Sequence, residues 1–305
     1  MAKVLVTGAT GFIGRHLVPI LIRRGHTVRE AGRNRRESTA QFVPVGAIDG
    51  ETDWSPALAG MDAVVHLAGV AHRPDAAEAA YFTVNDVGTG RLVEACAAAG
   101  VKAFVFLGSI AAREAADAYG VSKRAGEEHV RRFCEGADRA GIVLRPPLVY
   151  GFDAPGNWAK LQRLAASGLP LPFGGVDNRR SLCAVGNLCD AIGVALDAAL
   201  SGRASGTYDI ADREQVSLRT ILSRLRAGMG RPPRLLPFPP SIMRLGLRVA
   251  GRGQLAETLL GDLTVDPSNF MHVFGWRPPE TTSDAIEASG RQYADHGKKG
   301  QAGFF

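Results

Sequence analysis

The chain has 305 residues, 46% of them hydrophobic and 22% charged, with a formal net charge of +6. That length supports one large core, or a main domain with a smaller lobe, and the balance is that of a folded globular chain. No apolar run approaches the ~20 residues of a membrane-spanning helix, and the arginine-rich charge comes without any finger, helix-turn-helix or stacking pattern that would point to nucleic acid.

From the N-terminus, short β-branched runs alternate with longer helical patterns. Residues 3–7 read as a buried strand, which leaves no room for a signal peptide and places the chain in the cytoplasm. The pattern continues as a helix over 13–24, strands over 27–31, 42–45 and 63–67, and a helix over 76–99. A strand over 103–107, a helix over 118–135 and a strand over 142–144 follow. Such alternation predicts a parallel sheet with helices on both faces. Strands rich in Val, Leu and Phe without polar alternation agree, because strands of such sheets are buried on both sides. The predicted fold class is therefore α/β, a Rossmann-type doubly wound parallel sheet over residues 1–150. Beyond 151 prolines become frequent and the rhythm breaks, predicting a smaller, mostly helical substrate lobe over 151–297. Segments 181–185 and 207–210 are expected to return to the sheet edge, and 298–305 to form a frayed tail.

Where the first strand turns into the first helix the chain reads Thr7-Gly-Ala-Thr-Gly-Phe-Ile-Gly14. Gly8 permits the tight turn, Gly11 lets the backbone approach a pyrophosphate, and Gly14 permits close packing of helix on strand. Thr10, Phe12 and Ile13 fill the positions between. The new helix aims its free N–H groups and positive dipole end at phosphate. The loop thus reads as a cradle for NADP or NAD. The acidic residue that would grip a ribose 2′-hydroxyl is missing after the second strand, where Glu30-Ala-Gly-Arg33 is followed by Asn34-Arg-Arg36. Arg33 suits a 2′-phosphate and tilts the choice towards NADP. Four scattered cysteines with no C-x-x-C pair read as free thiols, with no disulfide framework and no metal site.

Tyr119 and Lys123 stand one helical turn apart, and Ser109 lies ten residues upstream at the mouth of the fifth strand. Ligands of doubly wound sheets sit at the carboxyl ends of strands. Moving a hydride to or from a carbinol carbon requires a proton to join or leave the oxygen with it. A free tyrosine, with a pKa near 10, is a poor base at neutral pH. The Lys123 charge on the same helix face favours the phenolate, and Ser109 could bind the same oxygen. The bland reading is that Tyr119 and Lys123 are neighbours on an amphipathic helix.

Further segments are His66-Leu-Ala-Gly69, Val84-Asn85, Arg145-Pro-Pro-Leu-Val-Tyr-Gly151, Pro170-Leu-Pro-Phe-Gly174, Asn178-Arg-Arg-Ser181 and Gly275-Trp-Arg-Pro278. With the glycine loop and Y-x-x-x-K, the chain resembles the extended short-chain dehydrogenases/reductases over roughly residues 2–290. The branch is that of NAD(P)-dependent nucleotide-sugar epimerases and dehydratases, UDP-glucose 4-epimerase-like proteins and 4-keto sugar reductases. The resemblance implies Tyr119 as acid/base, Lys123 as holder of the nicotinamide ribose, and Ser109 as partner of the reacting oxygen. It puts His66, Leu67, Ala68 and Gly69 against the adenosine half, Pro146 to Leu148 beside the nicotinamide, and Asn85 near the active site. Ile48 stands where an aspartate often meets the adenine. Asn157 and Arg180 match contacts to the diphosphate or nearby sugar of a nucleoside-diphosphate-sugar substrate. The family also implies a possible homodimer through helices 76–99 and 118–135.

The chain departs from the family in its short 110–118 segment and in lacking an Asp-Glu pair after Ser109, which argues against 4,6-dehydration. Epimerase and reductase stay open. So do a non-catalytic dinucleotide-binding sensor or assembly factor, and a reductase of a non-nucleotide ketone. His72 reads as a loop residue at the pocket edge, and Trp54, Trp158 and Trp276 as packing residues, with Trp158 beside Asn157.

Overall fold

β1 (Lys3–Thr7) buries Val4, Leu5, Val6 and Thr7 completely, as a central strand covered on both faces must. The computed structural model describes residues 1–35, 38–71, 77–136 and 138–302. After β1 come α1 (Phe12–Arg23), β2 (Thr27–Gly32), β3 (Gln41–Pro44), α2 (Ser55–Leu58), β4 (Ala63–His66) and α3 (Glu78–Tyr81). A π-helix (Phe82–Gly88), α4 (Thr89–Ala98), β5 (Ala103–Leu107), α5 (Ala111–Glu114), α6 (Ala118–Phe133) and β6 (Ala140–Arg145) follow. Then come β7 (Leu148–Tyr150), α7 (Asn157–Ala166), β8 (Leu182–Ala184), α8 (Val185–Leu200) and β9 (Gly206–Asp209). The chain closes with α9 (Leu218–Gly228), α10 (Pro240–Val249), α11 (Gly253–Leu260), α12 (Ser268–Phe274) and α13 (Thr282–Ala302).

Seven strands form a parallel sheet in the order β3-β2-β1-β4-β5-β6-β9. The order reverses at β1, where Thr7 pairs with His66 of β4. Carboxyl ends of strands at such a switch point are where this architecture binds ligands. Leu5, Val64 and Phe104 of the central strands pack with Trp54, Leu92 and Phe133. Burying each Leu, Val or Phe contributes about 1.5–3 kcal/mol.

The chain forms two compact units. One comprises Met1–Pro147, Leu188–Ile210 and Pro267–Arg277; the other comprises Leu148–Asn187, Ala211–Asp266 and the chain from residue 278 on. The sequence pattern brings both 181–185 and 207–210 to the sheet edge. Only β9 takes that place, pairing Ile142 to Arg145 with Gly206 to Asp209. The edge of β6 being filled, β8 pairs with β7 in a separate two-stranded sheet. Helix α13 runs to Ala302, through residues the pattern leaves as tail.

The helix predicted over 76–99 contains a π stretch. Gly88 is needed there because a Cβ would come 2.8 Å from Ile48 Cγ2, and Gly126 of α6 because its Cβ would meet the Asn85 carbonyl at 2.6 Å. The wider turn presents Asn85 to the loop after β4, a use typical of π segments.

Candidate active site

Gly8 has φ +69°, and a Cβ there would lie 2.6 Å from the Ala68 backbone nitrogen. Only glycine lets the β1–α1 loop rest on the segment after β4. At Gly14 a Cβ would come within 2.4 Å of the Gly8 carbonyl, so the first turn of α1 lies flat against the loop. Gly11 is the N-cap and provides no side-chain cap, and the first turn holds no acidic residue. Thr10 and Gly11 are exposed, and Phe12 and Ile13 half-buried. These features fit a dinucleotide pyrophosphate: a cradle that a Cβ would fill, at an uncapped, positively polarised helix end.

Behind the loop, His66 is fully buried. Its Nδ1 lies 2.6 Å from Thr7 Oγ1, its Nε2 lies 3.1 Å from Thr89 Oγ1, and its ring stacks on Phe106. Burial, with the nearby Lys123 charge, pushes its pKa down to about 3. His66 is therefore a neutral tie between β1, β4 and α4. The three residues beyond it, half-buried Leu67 and Ala68 and exposed Gly69, form the open part of that segment.

The catalytic candidates come together on β5, α5 and α6. The Gly108 N–H donates to the Leu144 carbonyl at 2.8 Å and the Ile110 N–H to the Pro146 carbonyl at 3.2 Å, clamping the loop that carries Ser109. Asp117 caps α6 by accepting from the Gly120 N–H at 2.7 Å, which fixes the helix start two residues before Tyr119. A Cβ at Gly120 would lie 2.6 Å from the Ala111 carbonyl, so α5 and α6 touch there. The result is a hydrogen bond between the Ser109 and Tyr119 side chains, with the Tyr81 ring packed edge-on against Tyr119 at 5.7 Å. Burial raises the Tyr119 pKa, and the Ser109 bond opposes that rise.

Lys123 is buried. Its Nζ donates to the Leu107 carbonyl at 2.6 Å and stands 4.4 Å from the Phe106 ring centroid. Burial lowers its pKa to about 8, and Glu127 pulls it back up. Asp117 and Tyr81 stand close enough to raise the Tyr119 pKa further.

Asn85 accepts from the Val70 N–H at 2.8 Å and donates to the Val70 carbonyl and Ser122 Oγ, both at 3.1 Å. It pins the segment carrying Gly69, whose Cβ position lies 3.9 Å from Lys123 Nζ. Arg33, with Asn34 and Arg35, is exposed just beyond β2, while Glu30 is buried and accepts from Ser38 Oγ at 2.6 Å. Arg36 and His72 lie outside the described residues. Ile48 is half-buried against Gly88, and Pro146 is buried beside β6. Sequence reasoning missed the ion pair of Arg145 with buried Glu127 at 2.5 Å. No local spacing announces it, because Glu127 lies on α6 and Arg145 on β6.

In the second unit, Leu148, Asn157 and Arg180 line a cavity of about 250 Å³. The rest of its wall is mostly Leu161, Leu164, Leu182, Leu218, Ile221 and Leu259. Arg180 Nη1 donates to the Gly261 carbonyl at 3.0 Å, and burial lowers its pKa. Trp158 is buried, with its indole N–H on Ser289 Oγ at 3.0 Å. A second buried network centres on Asp212, which accepts from Tyr150 Oη at 2.9 Å and Asn187 Nδ2 at 2.8 Å. Burial lifts the Asp212 pKa to about 6.

Residues 4–211 match the NAD dependent epimerase/dehydratase family. The chain is 30% identical to a UDP-glucose 4-epimerase of Vibrio cholerae, over 95% of each protein. It is 32% identical to a ceramide reductase of Caulobacter vibrioides, over 84% of this chain and 80% of that one. Among solved structures, the UDP-glucuronic acid 4-epimerase of Bacillus cereus in complex with NAD shares the fold. Its TM-score is 0.75 at 22% identity, over 96% of this chain and 99% of that one.

Proposed function

The chain belongs to the NAD dependent epimerase/dehydratase family, and on that premise we propose that it moves a hydride at a carbinol carbon of a nucleoside-diphosphate sugar. The reaction is a 4-epimerisation or the reduction of a 4-keto sugar. The observation that carries this reading is the Ser109–Tyr119 hydrogen bond with buried Lys123 one turn further along α6.

A bound nicotinamide dinucleotide supplies the hydride donor and acceptor. Gly8, Gly11 and Gly14 would hold its pyrophosphate, Leu67 to Gly69 would flank its adenosine half, and Lys123, which donates to the Leu107 carbonyl, would hold its nicotinamide ribose. Exposed Arg33, with no carboxylate among the described residues 31–35 at the tip of β2, supports NADP as the preferred form. In the reducing direction, hydride addition to a ketone carbon leaves charge on its oxygen. The Tyr119 phenol neutralises that charge by giving up its proton, while the Ser109 hydroxyl donates to the same oxygen. Oxidation runs the same proton back to Tyr119. Buried Glu127 pairs with Arg145, and its charge also pulls the Lys123 pKa up.

A second reading, reduction of a ketone bearing an apolar tail, is supported by the relative named as a ceramide reductase. NADPH oxidation with 4-keto sugar nucleotides and with long-chain ketones separates the two. Tyr119→Phe is the test of the site: turnover should fall by about 10²–10⁴, while dinucleotide affinity changes less than about threefold. Unchanged turnover would refute the catalytic assignment.

A further inference from the structure

Helix α10 (Pro240–Val249) buries none of its residues. Met243 and Leu247 are half-buried, whereas Ile242, Leu245 and Val249 are 54, 63 and 82% exposed. Their i, i+3, i+7 spacing aligns them along one helix face. Exposed apolar side chains flank it along the chain, Leu236 and Phe238 before the helix and Leu255 of α11 after it. Leu255 also lines the apolar cavity of this unit. Pro237, Pro239 and Pro240 stiffen the lead-in, with Pro240 in the first turn of α10. An exposed apolar helix face of this kind on a folded protein marks a surface that meets something apolar.

The segment that carries the strip has charge of one sign, and the nearest carboxylate, Glu257 of α11, is taken up by Arg248. Residues 215–256 contain eight arginines and no Asp, Glu or Lys. The whole chain carries +6, so this segment at +8 leaves −2 for all the rest. Arg248 and Arg252 are exposed beside the apolar face. Arg248 pairs with Glu257 of α11 at 3.1 Å, and Arg244, turned inward, donates to the Leu260 carbonyl. A soluble partner chain would meet the apolar strip equally well without this basic fringe. An anionic lipid surface matches both parts, because headgroups pair with the arginines while the side chains below enter the acyl boundary. No helix among the described residues is long and apolar enough to cross a membrane, so the contact is interfacial.

We propose that α10 and its flanks are a peripheral membrane-binding surface selective for anionic lipid. The proposal concerns a surface of the second unit alone and stands apart from the proposed chemistry. The test is co-flotation of the full chain with vesicles of phosphatidylcholine alone or with about 30% phosphatidylglycerol. The full chain should float with the mixed vesicles and at least tenfold less with pure phosphatidylcholine. High salt should weaken binding strongly, since exposed charges are screened. Leu245→Glu with Val249→Glu should reduce flotation at least tenfold, and Arg248→Glu with Arg252→Glu should remove the preference for anionic lipid. All four positions are exposed, and unchanged circular dichroism and thermal midpoint establish that the variants fold. The proposal is overturned if the full chain does not float, if the glutamates leave flotation unchanged, or if the glutamates instead convert a dimer to a monomer, which would assign the strip to a second copy of the chain.

Discussion

His66→Asn should change the acid stability of the first unit by an amount the structure fixes. The folded pKa of His66, about 3, lies below the ordinary value of ~6.5 for an unfolded chain. The unfolded chain therefore binds the proton first, and acidification favours unfolding. The loss begins as pH falls through 6.5 and is complete near 3. At pH 5 the gap is about 1.5 pH units, or about 2 kcal/mol against His66 relative to pH 7.5. The substitution also removes the bonds to Thr7 and Thr89, a cost of about 1–3 kcal/mol that does not depend on pH. Wild type should thus exceed the variant by about 1–3 kcal/mol at pH 7.5, and that margin should shrink by about 2 kcal/mol at pH 5. Asp212, whose folded pKa of about 6 gives the opposite pH dependence, is present in both proteins and cancels from the difference. Urea unfolding of both proteins at the two pH values, following the same transition, measures it. A margin equal at both values would refute the assignment of His66 as a buried neutral tie.

Gly8→Ala should lower stability by about 2 kcal/mol or more, because a left-handed backbone costs a side chain about 1–2 kcal/mol and the Cβ meets Ala68 at 2.6 Å. It should also weaken dinucleotide affinity by at least tenfold in a fluorescence titration, and an unchanged Kd would take the loop out of the cofactor site. Arg33→Ala should raise the Kd for NADP roughly tenfold, about 1.4 kcal/mol, and leave that for NAD within about twofold. Equal effects on both would remove Arg33 from any 2′-phosphate contact.

Much of the first unit was legible because its signals are local. Buried runs such as Val4 to Val6 write a central strand into five consecutive residues, and the glycines at 8, 11 and 14 are spaced by one turn and one helix start. The Y-x-x-x-K spacing of Tyr119 and Lys123 is likewise fixed by helix geometry alone. The family that these motifs imply is the one the chain belongs to.

Tertiary structure decided what those side chains meet. Lys123 lies over Phe106 and donates to Leu107, partners sixteen and seventeen residues upstream. The ion pair of Glu127 with Arg145 spans two elements, and Asn85 reaches Val70 and Ser122 only through a π turn that no periodicity announces. The pairing of β8 with β7 and the leucines that line the cavity of the second unit are similar cases. Local sequence sets backbone preference and which face is apolar. Partner distance, and with it burial and pKa, depends on how segments distant in the chain pack, because charge and hydrogen-bond energies change steeply over a few ångströms.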